Sequence, residues 1–283
     1  LKFDLRPMVG PVVTLNVCLP SGRSDVVSLP SKSKVKDLNL LAQQVFGQGF
    51  LRLVALDGCL LDPHDSLEFL GLEDEDCWIS VICQEAQVAA TGTAFVVCGG
   101  DTVQAWGHPD NGGDARKVLS ALRNVSEVQA TRRAFAMRSR DGCVVTWGDV
   151  ESGGDCSEVQ DQLRNVEALQ SSLGAFAALK EGTIITWGDK ETGGDSSHVE
   201  EQLRDVQHVQ ATHFAFAAIT SVGGVVTWGD PVRGGDSSGV QDQLYDIQYI
   251  QSTWSAFAAV RRDGFVVTWG EAAAGGDSNE VRE

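Results

Sequence analysis

The chain has 283 residues, 42% of them apolar, with 22 basic against 39 acidic side chains and a formal net charge of -17. That length allows one large or two ordinary domains. The acidity is not a tail, because the first 85 residues carry 7 basic and 12 acidic side chains and the remainder 15 and 27. A surface of this sign repels phosphate backbones and anionic lipid heads, which argues against nucleic-acid partners. No apolar run approaches the roughly 18 residues that span a bilayer, so direct membrane insertion is not expected.

Leu1 to Gly10 lacks the charged-then-apolar pattern of a secretory signal, and position 1 is not Met, so a longer or processed precursor is expected. The seven cysteines are Cys18, Cys59, Cys77, Cys83, Cys98, Cys143 and Cys156. None has Cys-x-x-Cys spacing. The expectation is buried or semi-buried thiols in a reducing intracellular compartment such as cytoplasm, nucleus or organelle stroma.

After an extended segment, 1–11, residues 12–85 read as one α+β domain. Val12 to Leu19 alternates as a half-buried strand with Val13, Leu15 and Val17 on one face. Pro20-Ser21-Gly22-Arg23 is a turn, and Asp25 to Leu29 a partner strand. Ser31 and Ser33 offer N-cap hydroxyls to a helix carrying Val35, Leu38, Leu41 and Val45, with Gly47 as its stop. Leu51 to Leu56 is a strand, Asp57-Gly58 a tight turn, and Cys59 to Leu61 a short strand. A helical turn over Ser66 to Leu70 and a strand over Cys77 to Cys83 follow.

Residues 86–283 obey a different rule. Trp-Gly recurs at Trp106, Trp147, Trp187, Trp228 and Trp269, in steps of 41, 40, 41 and 41 residues. Gly-Gly-Asp begins six residues after each, at Gly112, Gly153, Gly193, Gly234 and Gly275. Phe95, Phe135, Phe176, Phe216 and Phe257 keep the same phase. One unit reads as a strand from Val206 to Thr212, a two-residue connection, a strand from Ala215 to Ile219, a turn, and a strand from Val225 to Trp228. A loop and one or two helical turns anchored by Val240 and Leu244 complete it. Three such strands cannot bury both faces alone, so stacked copies must share a core. The small Ala positions beside each Phe let neighbouring sheets approach, and the tryptophans are expected in that core.

The order strand, strand, helix, strand, short strand, helical turn, strand is that of the β-grasp. Leu51 to Gly58, with Leu67 and Ile79 to Ile82, resembles the ubiquitin-like family. That resemblance implies an apolar partner patch on the sheet, at Pro20, Val54 and Ile82, with proline where the family has leucine. The segment continues through Gln84-Glu85-Ala86, so it reads as a built-in domain and not a conjugated modifier.

The repeats, with Val-Val-Thr-Trp-Gly-Asp after Ala-Phe-Ala-Ala, resemble those of the regulator of chromosome condensation superfamily. In repeat length they are closer to the type II β-lactamase inhibitory protein, and they are similar to repeats of unicellular algal proteins. The resemblance implies a β-propeller or an arc of one. The family's rings usually have seven blades and here there are five copies, the fifth stopping inside its helical turn. Either further sequence follows, or five units close or stay open.

No pattern points to catalysis. His64, His108, His198, His208 and His213 hold no repeat position and no triad or metal spacing, and the Gly-Gly-Asp series lacks the Lys-Ser/Thr of a phosphate loop. No cofactor is expected. The phase-locked pairs Asp149/Asp155, Asp189/Asp195 and Asp230/Asp236 could be read as calcium ligands. Capping of the following turn is the stronger reading.

The variable positions carry the functional expectation. Between first and second strands stand Arg132-Arg133, Leu173-Gly174, His213-Phe214 and Trp254-Ser255, in otherwise constant surroundings. In the inhibitory protein the comparable loops line the protein-binding face, and Arg and aromatic residues are common interface anchors. Arg132, Arg133, Leu173, His213, Phe214 and Trp254 are therefore the expected contacts, with Val54 and Ile82 on the first domain. The function expected is a non-enzymatic interaction scaffold docking onto a protein or larger complex. Alternatives are a peripheral stabilising subunit of a large assembly (an algal photosynthetic one among them), a regulator or exchange factor of a small GTPase, and a recruiting fragment of a ubiquitin ligase.

Overall fold

A computed structural model describes residues 11–47, 49–72, 77–83, 86–99, 102–122 and 124–279. The expected N-terminal segment lies outside them but for residue 11. The chain divides into two compact units, one running to Ala86 and taking in Cys98–Thr102, the other comprising Gln87–Val97 and Val103–Glu283.

In the first unit, alternation sends Leu15 and Val17 of strand β1 (Val12–Cys18) to the core. The turn beyond Pro20 returns the chain as β2 (Ser24–Pro30), paired antiparallel from Val12↔Pro30 to Cys18↔Ser24. Helix α1 (Val35–Phe46) buries Val35, Leu38, Ala42 and Phe46, a stripe at helical spacing. Gly47 ends it in the left-handed region at φ 66°. Its start differs from expectation. The helix begins after Lys34, and the Asp37 carboxylate, not a serine hydroxyl, accepts the Lys34 N–H at 2.9 Å. β3 (Leu51–Val54) and β4 (Trp78–Cys83) complete a mixed sheet of order β2-β1-β4-β3, with β1 and β4 parallel. The expected strand at Cys59 to Leu61 reduces to a single bridge, Val54↔Leu60, because the chain turns at Gly58 (φ 85°) and leaves after Leu61. This α+β grasp closes over Leu15, Leu38, Leu67, Ile79 and Val81.

The second region is mainly β, a propeller-like array of five three-stranded antiparallel sheets. Their strands are Gln87–Ala90, Ala94–Gly99 and Thr102–Gly107; Val125–Ala130, Ala134–Ser139 and Val144–Gly148; Ala168–Ser171, Ala175–Lys180 and Thr183–Gly188; Val206–Ala211, Ala215–Thr220 and Val225–Gly229; and Ile247–Ser252, Ala256–Arg261 and Val266–Gly270. Within each sheet from the second on, Phe and Trp face one another across the central pairing, as Phe216↔Trp228 does. The rings stack with centroids 5.2–5.6 Å apart in all five copies.

The cores lie between sheets. One joins Ala134 and Ala136 of the second repeat to Phe176 and Trp187 of the third. A second joins Ala175 and Ala177 to Phe216 and Trp228, and a third joins Ala215 and Ala217 to Phe257 and Trp269. Small residues on one sheet thus receive aromatic pairs from the next.

Glycine fixes the far side of each contact. A Cβ on Gly193, which sits at φ 100°, would lie 2.5 Å from the Phe216 ring. The Trp228 indole N–H donates to the Gly193 carbonyl at 3.0 Å. Trp147 to Gly112, Trp187 to Gly153 and Trp269 to Gly234 repeat the bond at 2.9–3.1 Å. At the opposite end of the sheets, Asn124, Asn165, Asp205 and Asp246 hold φ of 51–57° ahead of each first strand. Val166, Val206 and Ile247, each next in sequence to one of these, donate to the hairpin carbonyls of Gly142, Gly182 and Gly223 in the preceding repeat.

Two expectations fail here. Trp147, Trp187, Trp228 and Trp269 are buried, but Trp106 is 49% exposed and its partner Phe95 47%, because among the described residues no Gly-Gly loop of a preceding repeat covers them. Cys98 and Cys156 are buried, whereas Cys59, Cys83 and Cys143 are exposed on turns or strand ends. Burial alone pushes the Cys98 thiol up to about 11. Among the described residues no helix is long and apolar enough to cross a membrane.

Candidate functional site

Each connection between first and second strands follows a Thr or Ser: Thr91, Thr131, Ser172, Thr212 and Thr253. Its hydroxyl oxygen accepts the N–H of the Ala three residues on, at 2.9–3.1 Å. The Thr hydroxyls also donate to the loop after the third strand, as Thr131 does to the Ser152 carbonyl at 2.9 Å. These bonds close a tight, identical turn in every repeat.

The first residue of each turn reaches the same place. Gly92, Arg132, Leu173, His213 and Trp254, with the small residues before them, line one cavity of about 720 Å³. Backbone bonds string the five together. Gly92 N–H donates to the Arg132 carbonyl, Arg132 to Leu173, and Leu173 to His213, each at 2.8 Å, and His213 to Trp254 at 3.0 Å. No side chain takes part in that string. The frame is therefore constant while its side chains vary.

The side chains make an uneven lining. Arg132 is exposed. Leu173 is half-buried beside it. The His213 ring lies 4.7 Å from that of Trp254, which is 65% exposed. Desolvation lowers the His213 pKa below its ordinary value of 6.5, favouring the neutral ring. None of the lining residues is Asp or Glu, in a chain that carries 39 of them. The cavity lining thus presents a cation and an aromatic surface without a carboxylate.

The second residue of each turn points elsewhere. Arg133 pairs with Asp149 of its own repeat at 3.4 Å. Phe214 lies under the Arg233 guanidinium, 4.3 Å from the ring centre, and Arg233 is held by Asp230 at 2.6 Å. Gly174 and Ser255 are buried. Arg133 and Phe214 therefore do not line the cavity that Arg132, Leu173, His213 and Trp254 share. Gly92 is a lining residue that the variable-position reading passes over, since that reading compares only the last four connections. The recurrent Thr or Ser was the signal that could have placed it.

The phase-locked carboxylates have backbone partners. Asp155, Asp195, Asp236 and Asp277 accept the N–H two residues on at 2.8–3.0 Å. Asp149, Asp189 and Asp230 accept from Ser152, Glu191 and Val232. In the first copy Asp114 is bound twice over by Arg116, which holds its pKa at about 2. These are caps. Among the described residues no cluster of three or more potential metal ligands occurs.

On the grasp sheet, the register places Val54 and Ile82 on the outer face, Val54 opposite Ser80 and Ile82 opposite Arg52. Val54 is half-buried and Ile82 is 43% exposed. Pro20 is exposed in the turn after β1, off the sheet. The same face carries Trp78 and Val26, both exposed, flanking Asn16 in register. Neither was expected there.

No protein-family model and no curated protein sequence matches the chain. Among solved structures, it is similar to human WBSCR16, at 13% identity over 72% of this chain and 68% of that one, with a TM-score of 0.48. It is also similar to yeast RCC1 (Prp20), solved with Kap60, at 16% identity over 78% and 64%, TM-score 0.46. The N-terminal ubiquitin-like domain of the 4931431F19Rik protein matches at 16% over 32% of this chain and 93% of that one, TM-score 0.28. The chain thus spans about two thirds of the propeller structures it matches.

Proposed function

We propose that the chain is a non-enzymatic protein-interaction scaffold whose recognition is done by the convergent turns of the repeats. One observation carries this reading: five turns of fixed backbone bring four unlike side chains, those of Arg132, Leu173, His213 and Trp254, and Gly92 to one cavity. A catalytic site needs convergent titratable groups, and here a single Arg and a His of lowered pKa stand among Leu, Trp and Gly. The partner feature that fits is a loop or chain end with a carboxylate for Arg132 and an apolar side chain for Leu173 and Trp254. Arg and Trp are the residue types that dominate interface energetics. The outer face of the grasp sheet, with Val54, Ile82 and Trp78, offers a second contact to the same partner or to another member of a larger complex.

The test is quantitative affinity capture with the full chain, comparing the wild type with Arg132→Ala/Trp254→Ala. Val222→Ala, 82% exposed in the hairpin at the other end of its sheet, is the control. A partner held equally by wild type and control should lose at least about tenfold in affinity with the double variant. If all three proteins hold every partner equally, the cavity is not the docking site.

A further inference from the structure

The polar groups of the turn cavity fall into two sets, those already bonded and those left for a ligand. Seven Ser and Thr residues stand in its lining, and each hydroxyl proton is committed within the protein. Thr91, Thr131, Thr212 and Thr253 donate to carbonyls of the loops after the third strands, at 2.9–3.3 Å. Ser171 and Ser252 donate to the Ala130 and Ala211 carbonyls of the preceding repeats at 2.9 and 2.7 Å, and Ser172 to the Ala175 carbonyl at 3.3 Å. The backbone N–H groups of Gly92, Arg132, Leu173 and His213 are spent in the string that joins the turns.

Three lining side chains keep their donors. The Arg132 guanidinium, the His213 imidazole and the Trp254 indole N–H make no hydrogen bond or ion pair within the protein among the described residues. Guanidinium and indole only donate, and a neutral imidazole donates from one nitrogen. With no Asp or Glu in the lining, the complementary ligand brings acceptors and negative charge. One permanent cation balances a monoanion. A carboxylate fits that count and the planar guanidinium fork, whereas a phosphate group carries about -1.5 to -2 at pH 7. The excess would go unbalanced in a chain of net charge -17.

The rest of the lining is apolar or small. Leu173 is half-buried one turn from Arg132, whose N–H donates to its carbonyl at 2.8 Å. Ala90, Ala130 and Ala211 add small apolar surface. Cation and apolar wall are therefore neighbours. A carboxy-terminal residue presents a carboxylate and a side chain from one Cα, and it enters as a single strand. An internal acidic residue spends its side chain on the charge and brings in two strands, about 5 Å apart, where about 720 Å³ is open. We propose that the turn cavity receives the free carboxy terminus of a partner chain ending in an apolar residue, its carboxylate on Arg132 and its last side chain against Leu173 and Trp254. The assignment rests on the turn cavity being the docking site and specifies what docks there.

The experiment offers the immobilised full chain three pools of short peptides: linear with free carboxylates, linear and amidated, and head-to-tail cyclic with an internal Asp. The free-acid pool should enrich in apolar last residues. Amidating a selected peptide should weaken it at least about tenfold. Arg132→Gln, with unchanged circular dichroism, should bind the acid and amide forms alike, because the pair that amidation removes is already gone. Val222→Ala should bind as the wild type does, and excess inorganic phosphate should displace nothing. Equal enrichment of acid and amide, enrichment of the cyclic pool alone, or displacement by phosphate overturns the chain-end assignment and leaves the cavity as a docking site. Enrichment of no pool overturns it as well, and partner capture with Arg132→Ala/Trp254→Ala then decides separately whether the cavity docks a protein at all.

Discussion

The pairs Phe216–Trp228 and Phe95–Trp106 have the same motif and nearly the same stacking, at 5.2 and 5.6 Å, but opposite environments. Trp228 is fully buried and Trp106 half exposed. Strand pairing within a repeat sets the ring geometry, whereas burial comes from the preceding repeat. The motif therefore encodes a half-interface, and position in the array decides whether it is core or surface.

The largest effect that would test this contrast is truncation of the indole. Trp228→Ala should cost about 3–5 kcal/mol in denaturant unfolding, since it empties a core site and orphans the Gly193 carbonyl. Trp106→Ala should cost less than about 1 kcal/mol. Equal losses would mean that the first pair is core after all.

A smaller effect is expected on the glycine side. Gly193→Ala combines a left-handed backbone with a methyl group 2.5 Å from the Phe216 ring and should cost about 2–4 kcal/mol. Gly275→Ala keeps only the backbone strain, about 1 kcal/mol. Thermal melts of the pair would collapse the distinction if the two shifts were alike.

The smallest effect is a titration in the cavity. The pKa of His213 is lowered by desolvation, so its NMR midpoint should fall below 6.5 and move back toward it in Trp254→Ala. Because the folded state binds the proton less well than the unfolded chain, this residue's contribution is present above the unfolded pKa and is lost as pH falls through the window below it. A midpoint at or above 6.5 would show the ring to be fully solvated.

Much of this was legible in the residues. The Trp and Phe periods define all five sheets, and the Asp positions give the caps because a short carboxylate two residues before a free N–H has one favourable use. Alternation in Val12–Cys18 and spacing in Val35–Phe46 place the grasp core. What periodicity could not convey is what a copy touches. Trp106 carries the same Trp-Gly motif as Trp228, and it is exposed because no preceding repeat covers it among the described residues. Arg133 and Phe214 vary as freely as Arg132 and His213, yet adjacent residues of a tight turn face opposite ways, and no composition argument separates them. Val26 and Trp78 reach one face through pairing between distant strands, which single-strand alternation does not report.

The bonds joining the turns run from backbone N–H to backbone carbonyl alone. Positions 92, 132, 173, 213 and 254 are thus relieved of any duty in holding the array together. The molecule is in this respect a ready library scaffold. Combinatorial replacement at positions 132, 173, 213 and 254 would leave the sheets standing, with proline excluded at the first three, where its missing N–H would cut the string. A Cβ at Gly92, by contrast, would lie 3.3 Å from the Arg132 carbonyl oxygen and press on that bond.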